Sequence, residues 1–304
     1  MHEVVALATE EPVLAQPDEH VQVARGTAAH AGLALTRHTQ LLSVVDAGRD
    51  VERQLVVFSL ATLAAAPLAQ AAEPAAPAPD YTLTTNVGLF SQYVFRGISY
   101  TQEKPAVQGG ADFAHSSGFY AGIWGTNISS KAVQNAVGEI DLYAGYATTV
   151  GDFGVDVGVL QFVFPGGRYT GIGEDYQTTE LNLAVSWKMF KLKYSHALTD
   201  YFGFNDRTFG LGQGDSKGSN YVELNALFDL GSGWAVDAHV GRQTVRHYED
   251  FSFTDYRLGV AKDLGSGWRA ALAWIGSNAD SALYTIDGVD TGDSKVLASI
   301  VRSF

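Results

Sequence analysis

The sequence predicts an all-β protein: a transmembrane up-and-down antiparallel β-barrel of about twelve strands, preceded by a signal peptide. Three observations carry this. The stretch Tyr81–Gly97, YTLTTNVGLFSQYVFRG, alternates apolar with small or polar side chains for longer than most soluble strands, with aromatics at both ends of the apolar face. Lipid on one side, a wet lumen on the other and aromatic girdles at two interfaces require that pattern. The connections that follow alternate strictly between long and short, as in a meander barrel with turns at one end and loops at the other. The composition is rich in glycine (33 residues) and aromatics (12%) and has no cysteine, which suits short strands and tight turns and excludes a disulfide framework.

The front of the chain reads differently. Residues 1–50 show no sustained period and read as an upstream extension that is not native to the protein. Residues 51–71 combine Arg53, an apolar run broken by Pro67 and a small-residue site at Ala69–Ala71, the marks of a secretory signal peptide. Residues 72–80 form a Pro/Ala-rich tether, and the barrel is expected over 81–304. The formal net charge of −13 makes nucleic acid a poor partner, since that requires a basic footprint.

After the first strand, Ile98–Lys104 reads as a polar loop. Strands are expected at 105–113 and 119–128 around the turn HSSG, then at 138–150 and 155–164 around Gly151–Gly154. A Gly-rich loop, Pro165–Asp175, leads to strands at 176–187 and 190–198 joined by Lys188 and Met189. Thr199–Ser219 is a loop of about twenty residues, out of place in a compact soluble domain and expected outside a barrel. Strands at 221–230 and 234–244, and again at 253–264 and 268–277, are joined by the same six residues, DLGSGW. The long acidic loop Asn278–Lys295 precedes a last strand, 296–304. An even strand number returns both termini to the short-turn end, each strand is long enough to cross at a tilt, and closure removes the edges that hydrocarbon does not tolerate.

Several segments resemble the TorF porin family, also grouped as the Gcw_chp conserved hypothetical outer-membrane proteins. The likeness rests on FRGIS at Phe95–Ser99, PAVQGG at Pro105–Gly110, HSSGFYAGIW at His115–Trp124 and EIDLYAGY at Glu139–Tyr146. It implies an outer-membrane barrel of a Gram-negative bacterium, with porin activity. The final Phe304 resembles the terminal aromatic read by the barrel-assembly machinery, with Arg302 standing where that signal carries an apolar residue.

The inward parity supplies pore-lining candidates: Glu139, Asp141, Asp156, Glu180, Glu223, Asp237 and Asp255 against Lys191, Lys193 and Arg257. This excess of acids implies passage of small hydrophilic solutes with a mild preference for cations. The competing reading is that these charges pair across the lumen and close it, leaving the long loops a structural or surface-binding role. Tyr93, Phe95, Trp187, Trp234 and Trp268 are expected as membrane-interface anchors facing lipid and lipopolysaccharide. Arg96 is open between an interface anchor and a functional handle. His115 with Ser116 and Ser117 falls in a short turn with no third group to orient a nucleophile, so no catalytic residue is assigned. DGVDTGD at Asp287–Asp293 lacks the glutamate that completes an EF-type calcium loop, so neither metal nor cofactor is expected.

Overall fold

The computed structural model describes residues 80–304; the extension, the signal peptide and all but the last residue of the tether lie outside the described residues. Twelve strands form one closed barrel: β1 (Tyr81–Phe90), β2 (Ala106–His115), β3 (Phe119–Thr126), β4 (Glu139–Val150), β5 (Phe153–Val163), β6 (Thr178–Trp187), β7 (Phe190–Ala197), β8 (Asn220–Gly231), β9 (Trp234–Thr244), β10 (Phe253–Gly265), β11 (Trp268–Ser277) and β12 (Lys295–Ser303). Each pairs antiparallel with its sequence neighbours, and β1 closes on β12 from Asn86 opposite Ser303 to Phe90 opposite Ser299. Every strand is thus flanked on both sides, which removes the open edges a bilayer excludes. No helix among the described residues is long and apolar enough to cross a membrane.

The wall follows the period of two. Leu83, Val87 and Leu89 of β1, Val155, Val157 and Val159 of β5, and Leu192 of β7 stay exposed on the outside. Inward positions alternate polar groups with glycines on which tyrosines lie. A Cβ at Gly122 would collide with the Tyr143 ring, and one at Gly241 with the Tyr221 phenol. Several inward glycines therefore make room for aromatic rings inside the barrel, while sixteen glycines among the described residues take positive φ, chiefly in turns and loops.

The DLGSGW repeats are one turn used twice. Ser232 and Gly233 have φ of 50° and 77°, Ser266 and Gly267 have 51° and 79°, the sign that a primed hairpin turn requires at both central positions. Asp229 and Asp263 each accept the N–H two residues on, at 2.8 and 2.7 Å. The register then sets Trp234 opposite Lys262 and Trp268 opposite Arg302, and each cation lies over its indole, 5.1 and 5.6 Å from the ring centroid. Lys188 covers Trp187 likewise at 4.4 Å.

The first strand is shorter than the alternation predicts. β1 ends at Phe90, directly opposite Ala106; Ser91 still hydrogen-bonds Ala298 of β12, and the chain then leaves the wall until it returns at Ala106. Val94–Phe95 pairs back on Ile98–Ser99, turning at Arg96 and Gly97 with φ of 48° and 82°. Past Ser91 both parities are buried, Gln92 and Arg96 as well as Tyr93 and Phe95, so the alternation there no longer separates an outer from an inner face. The expected loop at 199–219 likewise has structure, a 3₁₀ turn at Tyr201–Gly203 and a helical turn at Asp206–Phe209 capped by Asn205.

Candidate functional site: the lumen and its inward hairpin

Residues of the hairpin reach the barrel wall at widely separated strands. The Arg96 guanidinium donates to both carboxylate oxygens of Glu180 on β6, at 3.0 and 2.8 Å, and to Gln243 Oε1 on β9 at 2.8 Å. It also lies over the Tyr221 ring of β8, 4.3 Å from its centroid. Tyr93 Oη donates to Glu139 on β4 at 3.0 Å, and Lys295 Nζ on β12 donates to the Gly97 carbonyl at 3.1 Å. A Cβ at Gly97 would stand 2.7 Å from that of Asp255 on β10, so a residue with no side chain fits the bend's approach to the wall.

Burial works against the charge on Arg96, but Glu180 more than offsets it and raises the guanidinium's pKa. Burial, and after it the carboxylates of Glu139 and Asp141, push the Tyr93 phenol well above its ordinary value, so it remains a donor.

Around the hairpin the loop end is dry. Phe95 packs edge-on against Phe162 and Phe202 with centroids 5.5 and 6.0 Å apart, and Tyr93 leans on Trp124 at 5.4 Å. Phe164, Tyr169, Tyr176, Tyr201 and Tyr248 extend this cluster across the loops. Ion pairs tie the loops together, Arg207 with Glu174 at 2.5 Å and Lys131 with Asp287.

Toward the short-turn end the wall is wetter. The Lys193 and Glu223 side chains, 3.6 Å apart, keep 19% and 16% of their surface, and Arg257 and Asp237, 3.0 Å apart, keep 34% and 27%; for Arg96 and Glu180 the figures are 5% and 2%. Solvent therefore reaches the lower lumen and stops below the hairpin. His239 sits between the two regions, with one ring nitrogen 2.9 Å from Asp255 and the other 2.8 Å from Asn225 Oδ1. Asp156 accepts from Tyr120 at 2.9 Å, and Asp112 from Tyr143.

All ten charged residues proposed as pore-lining, Glu139, Asp141, Asp156, Glu180, Lys191, Lys193, Glu223, Asp237, Asp255 and Arg257, occupy inward positions of their strands. They divide by depth. Glu139, Asp141, Glu180 and Asp255 are buried beneath the hairpin, while the others occupy the wetter part of the wall. Trp187, Trp234 and Trp268 lie exposed on the outside at the short-turn end. Tyr93 and Phe95 do not face lipid: they are 2% and 3% exposed, inside the barrel mouth, because the chain leaves the wall at Phe90. Arg96 is likewise no interface anchor. The residues absent from the sequence reading are Gln243, Tyr221, Gly97 and Lys295; the one local cue was a glycine directly after an arginine inside an alternating run, which suits a turn better than a strand. His115 Nδ1 does meet Ser117 Oγ at 2.7 Å, but the Ser117 N–H also donates to that nitrogen, which makes the contact part of the turn.

Fold and lumen together define a transmembrane β-barrel of the porin-like class, with a polar inner wall and a loop folded into its mouth. The chain belongs to the family described as bacterial protein of unknown function (Gcw_chp), whose model matches residues 71–304. Among solved structures it is similar to the KdgM porin, at 7% identity over 73% of this chain and 99% of that one with a TM-score of 0.46. It is similar also to the NanC porin, at 12% identity over 73% and 99% with a TM-score of 0.44. The COG4313 outer membrane channel from Pseudomonas putida F1 matches at 12% identity over 73% and 95%, with a TM-score of 0.42. No curated protein matches the sequence.

Proposed function

We propose that this protein is an outer-membrane channel for small hydrophilic solutes whose outer mouth is stopped by the Val94–Ser99 hairpin. The supporting observation is the division of the lumen: charged walls that hold solvent below, and a dry aromatic stopper pinned by Arg96 above. A purely structural barrel has no need to keep Lys193, Glu223, Asp237 and Arg257 in contact with water. Transport is passive diffusion along the polar wall, and the hairpin must move for solute to pass. In the wetter half Asp112, Asp156, Glu223, Asp237 and Asp263 stand against Lys191, Lys193, Arg257 and Arg269, an excess of one acid. Most of the acidic excess lies under the hairpin, so cation preference belongs chiefly to the unstopped channel.

The same reading makes this a member of the TorF porin group in a Gram-negative outer membrane. It is exported by a signal peptide, assembled through a C-terminal signal ending at Phe304, and surrounded by lipid and lipopolysaccharide. Its mechanism is geometric and electrostatic, with no catalytic residue, metal or cofactor.

A second reading has its own support. The buried bidentate pair and the aromatic packing also suit a barrel that never conducts and works through its loops. Because Phe90 and Ala106 are directly paired, a short turn can replace residues 91–105 at the cost of the two hydrogen bonds between Ser91 and Ala298 of β12. The test is planar-bilayer conductance of the protein and of that loop-deleted variant in a salt gradient. Rare openings in the first and steady, cation-favouring openings in the second support the stopped channel. Silence from a correctly folded deletion variant overturns it and leaves the loop-borne role.

A further inference from the structure

The outer surface of the barrel is uncharged at the loop end except in one sector. The outward residues nearest that end are Leu89 in β1, Val107 in β2, Gly125 in β3, Ile140 in β4, Val163 in β5 and Thr179 in β6. They are Thr254 in β10, Gly276 in β11 and Val296 in β12. Between β7 and β9 the pattern changes. Arg242 faces outward from β9, its Nη1 donating to Thr254 Oγ1 at 3.3 Å. Arg246 lies just beyond the same strand with Nη1 on the Lys217 carbonyl at 3.0 Å, and Lys217 itself is exposed. Arg246 and His196 of β7 both lie beside Gly218, each within 4 Å of the place a Cβ would occupy there.

These cations differ from those at the opposite end of the barrel. Lys188, Lys262 and Arg302 each lie over an indole ring. Lys217, Arg242 and Arg246 have neither a carboxylate partner nor an aromatic ring beneath them among the described residues, in a chain of net charge −13. Their height matters as much as their sign. Arg242 stands eight residues beyond Trp234 along β9; at about 3.3 Å per residue and a tilt of about 40° that is about 20 Å up the barrel axis. The apolar band of such a barrel is about 25 Å tall, so Arg242 sits at its upper rim, where an outward cation costs little and meets lipid headgroups. Beneath it Tyr194, Val222 and Val240 are apolar and exposed, a surface for acyl chains.

We infer that Lys217, Arg242, Arg246 and His196 form a binding site for the phosphate groups of an outer-leaflet glycolipid, with its acyl chains lying on β7–β9. Guanidinium groups suit phosphate because their planar donors engage two oxygens at once. The site rests on the outer-membrane placement proposed above, with the loops outward.

Two measurements separate the site from that placement. The chain has no cysteine, so Lys217→Cys carries a unique thiol that a membrane-impermeant maleimide can label in intact cells. Labelling supports the outward placement of the loops; a thiol that reacts only after the cells are broken overturns both placement and site. The full protein is then reconstituted in phosphatidylcholine nanodiscs, and retention of lipid A is measured by native mass spectrometry. Retention is expected to fall at least tenfold in the Lys217→Gln/Arg242→Gln/Arg246→Gln variant and to stay unchanged in Lys262→Gln/Arg302→Gln, at the other end. Dephosphorylated lipid A is expected to be lost as in the triple variant, which assigns recognition to phosphate. Inorganic phosphate at millimolar concentration is expected not to displace the lipid, because it lacks the acyl contact. Equal retention by the triple variant overturns the site with the placement intact, and displacement by inorganic phosphate overturns the glycolipid as its ligand.

Discussion

Arg96 and Glu180 meet through two hydrogen bonds of 3.0 and 2.8 Å across the inside of the barrel, joining the loop after the first strand to the sixth. Both side chains are buried, so the pair acts on the position of the hairpin with little screening by solvent. Removing one partner of such a pair strands a charge in a dry site at a cost of about 3–5 kcal/mol, whereas replacing both with apolar groups is often close to neutral. Glu180→Gln is therefore expected to loosen the hairpin and raise the frequency of channel opening at least tenfold. Arg96→Met/Glu180→Leu is expected to restore most of the closed state. Single-channel recording of the two variants beside the parent checks this; equal opening in all three would remove the pair from any role in closure.

Selectivity should depend on whether the hairpin is in place. With residues 91–105 replaced by a short turn, Glu139, Asp141, Glu180 and Asp255 border the open path, and the reversal potential in a salt gradient should favour cations. Adding Glu180→Gln and Asp255→Asn to that variant is expected to move the reversal potential toward zero. A potential that stays fixed would place the selective step elsewhere on the wall.

The glycines under tyrosine rings are a separate test of how the wall is packed. Gly241→Ala puts a methyl group where the Tyr221 phenol lies, and that phenol donates to Asp255 at 2.9 Å while its ring supports Arg96. Overpacking of this kind costs about 1–3 kcal/mol. The expected result is a lower urea midpoint for unfolding from vesicles, together with more frequent openings, since the displaced ring is part of the hairpin's seat. Lost stability with no change in gating would separate the wall from the stopper.

At the short-turn end, Trp268→Ala removes an indole that lies under Arg302 at an exposed position. Cation–π contacts at exposed sites are worth about 0.5–1 kcal/mol, and the lost burial of the ring in the interface adds to that. A loss of about 1–2 kcal/mol in lipid is expected, and a much smaller one in detergent, where the interface is poorly defined. Equal losses in both would mean that the indole works within the protein alone.

How much of this was legible in the sequence depends on the range over which each feature is set. Strand number, the alternation of loops and turns, and the inward or outward side of nearly every strand residue follow from a local period of two, which survives small errors in strand ends. The DLGSGW turns were legible because their φ requirements fall on serine and glycine beside one another. The end of β1 was not: Ser91–Phe95 keeps mixing polar with apolar side chains although the chain has turned from the wall into the barrel mouth, where Gln92, Tyr93 and Phe95 are all buried. For the same reason Tyr93 and Phe95 read as girdle aromatics, though they pack on Trp124 and Phe162. Arg96 finds its partners 84 and 147 residues away, and nothing near it in the chain names them.

Those separations also order events during assembly. The hairpin is made early, but Glu180 and Gln243 lie far along the chain, and Lys295, which holds the Gly97 carbonyl, is 198 residues downstream on the strand that closes the barrel. Contacts so distant in sequence form late. The Glu180 and Gln243 contacts can form as their strands arrive, but the set is complete only when the strand that carries Lys295 closes on the first, at separations of 209–217 residues, so corking and closure finish together.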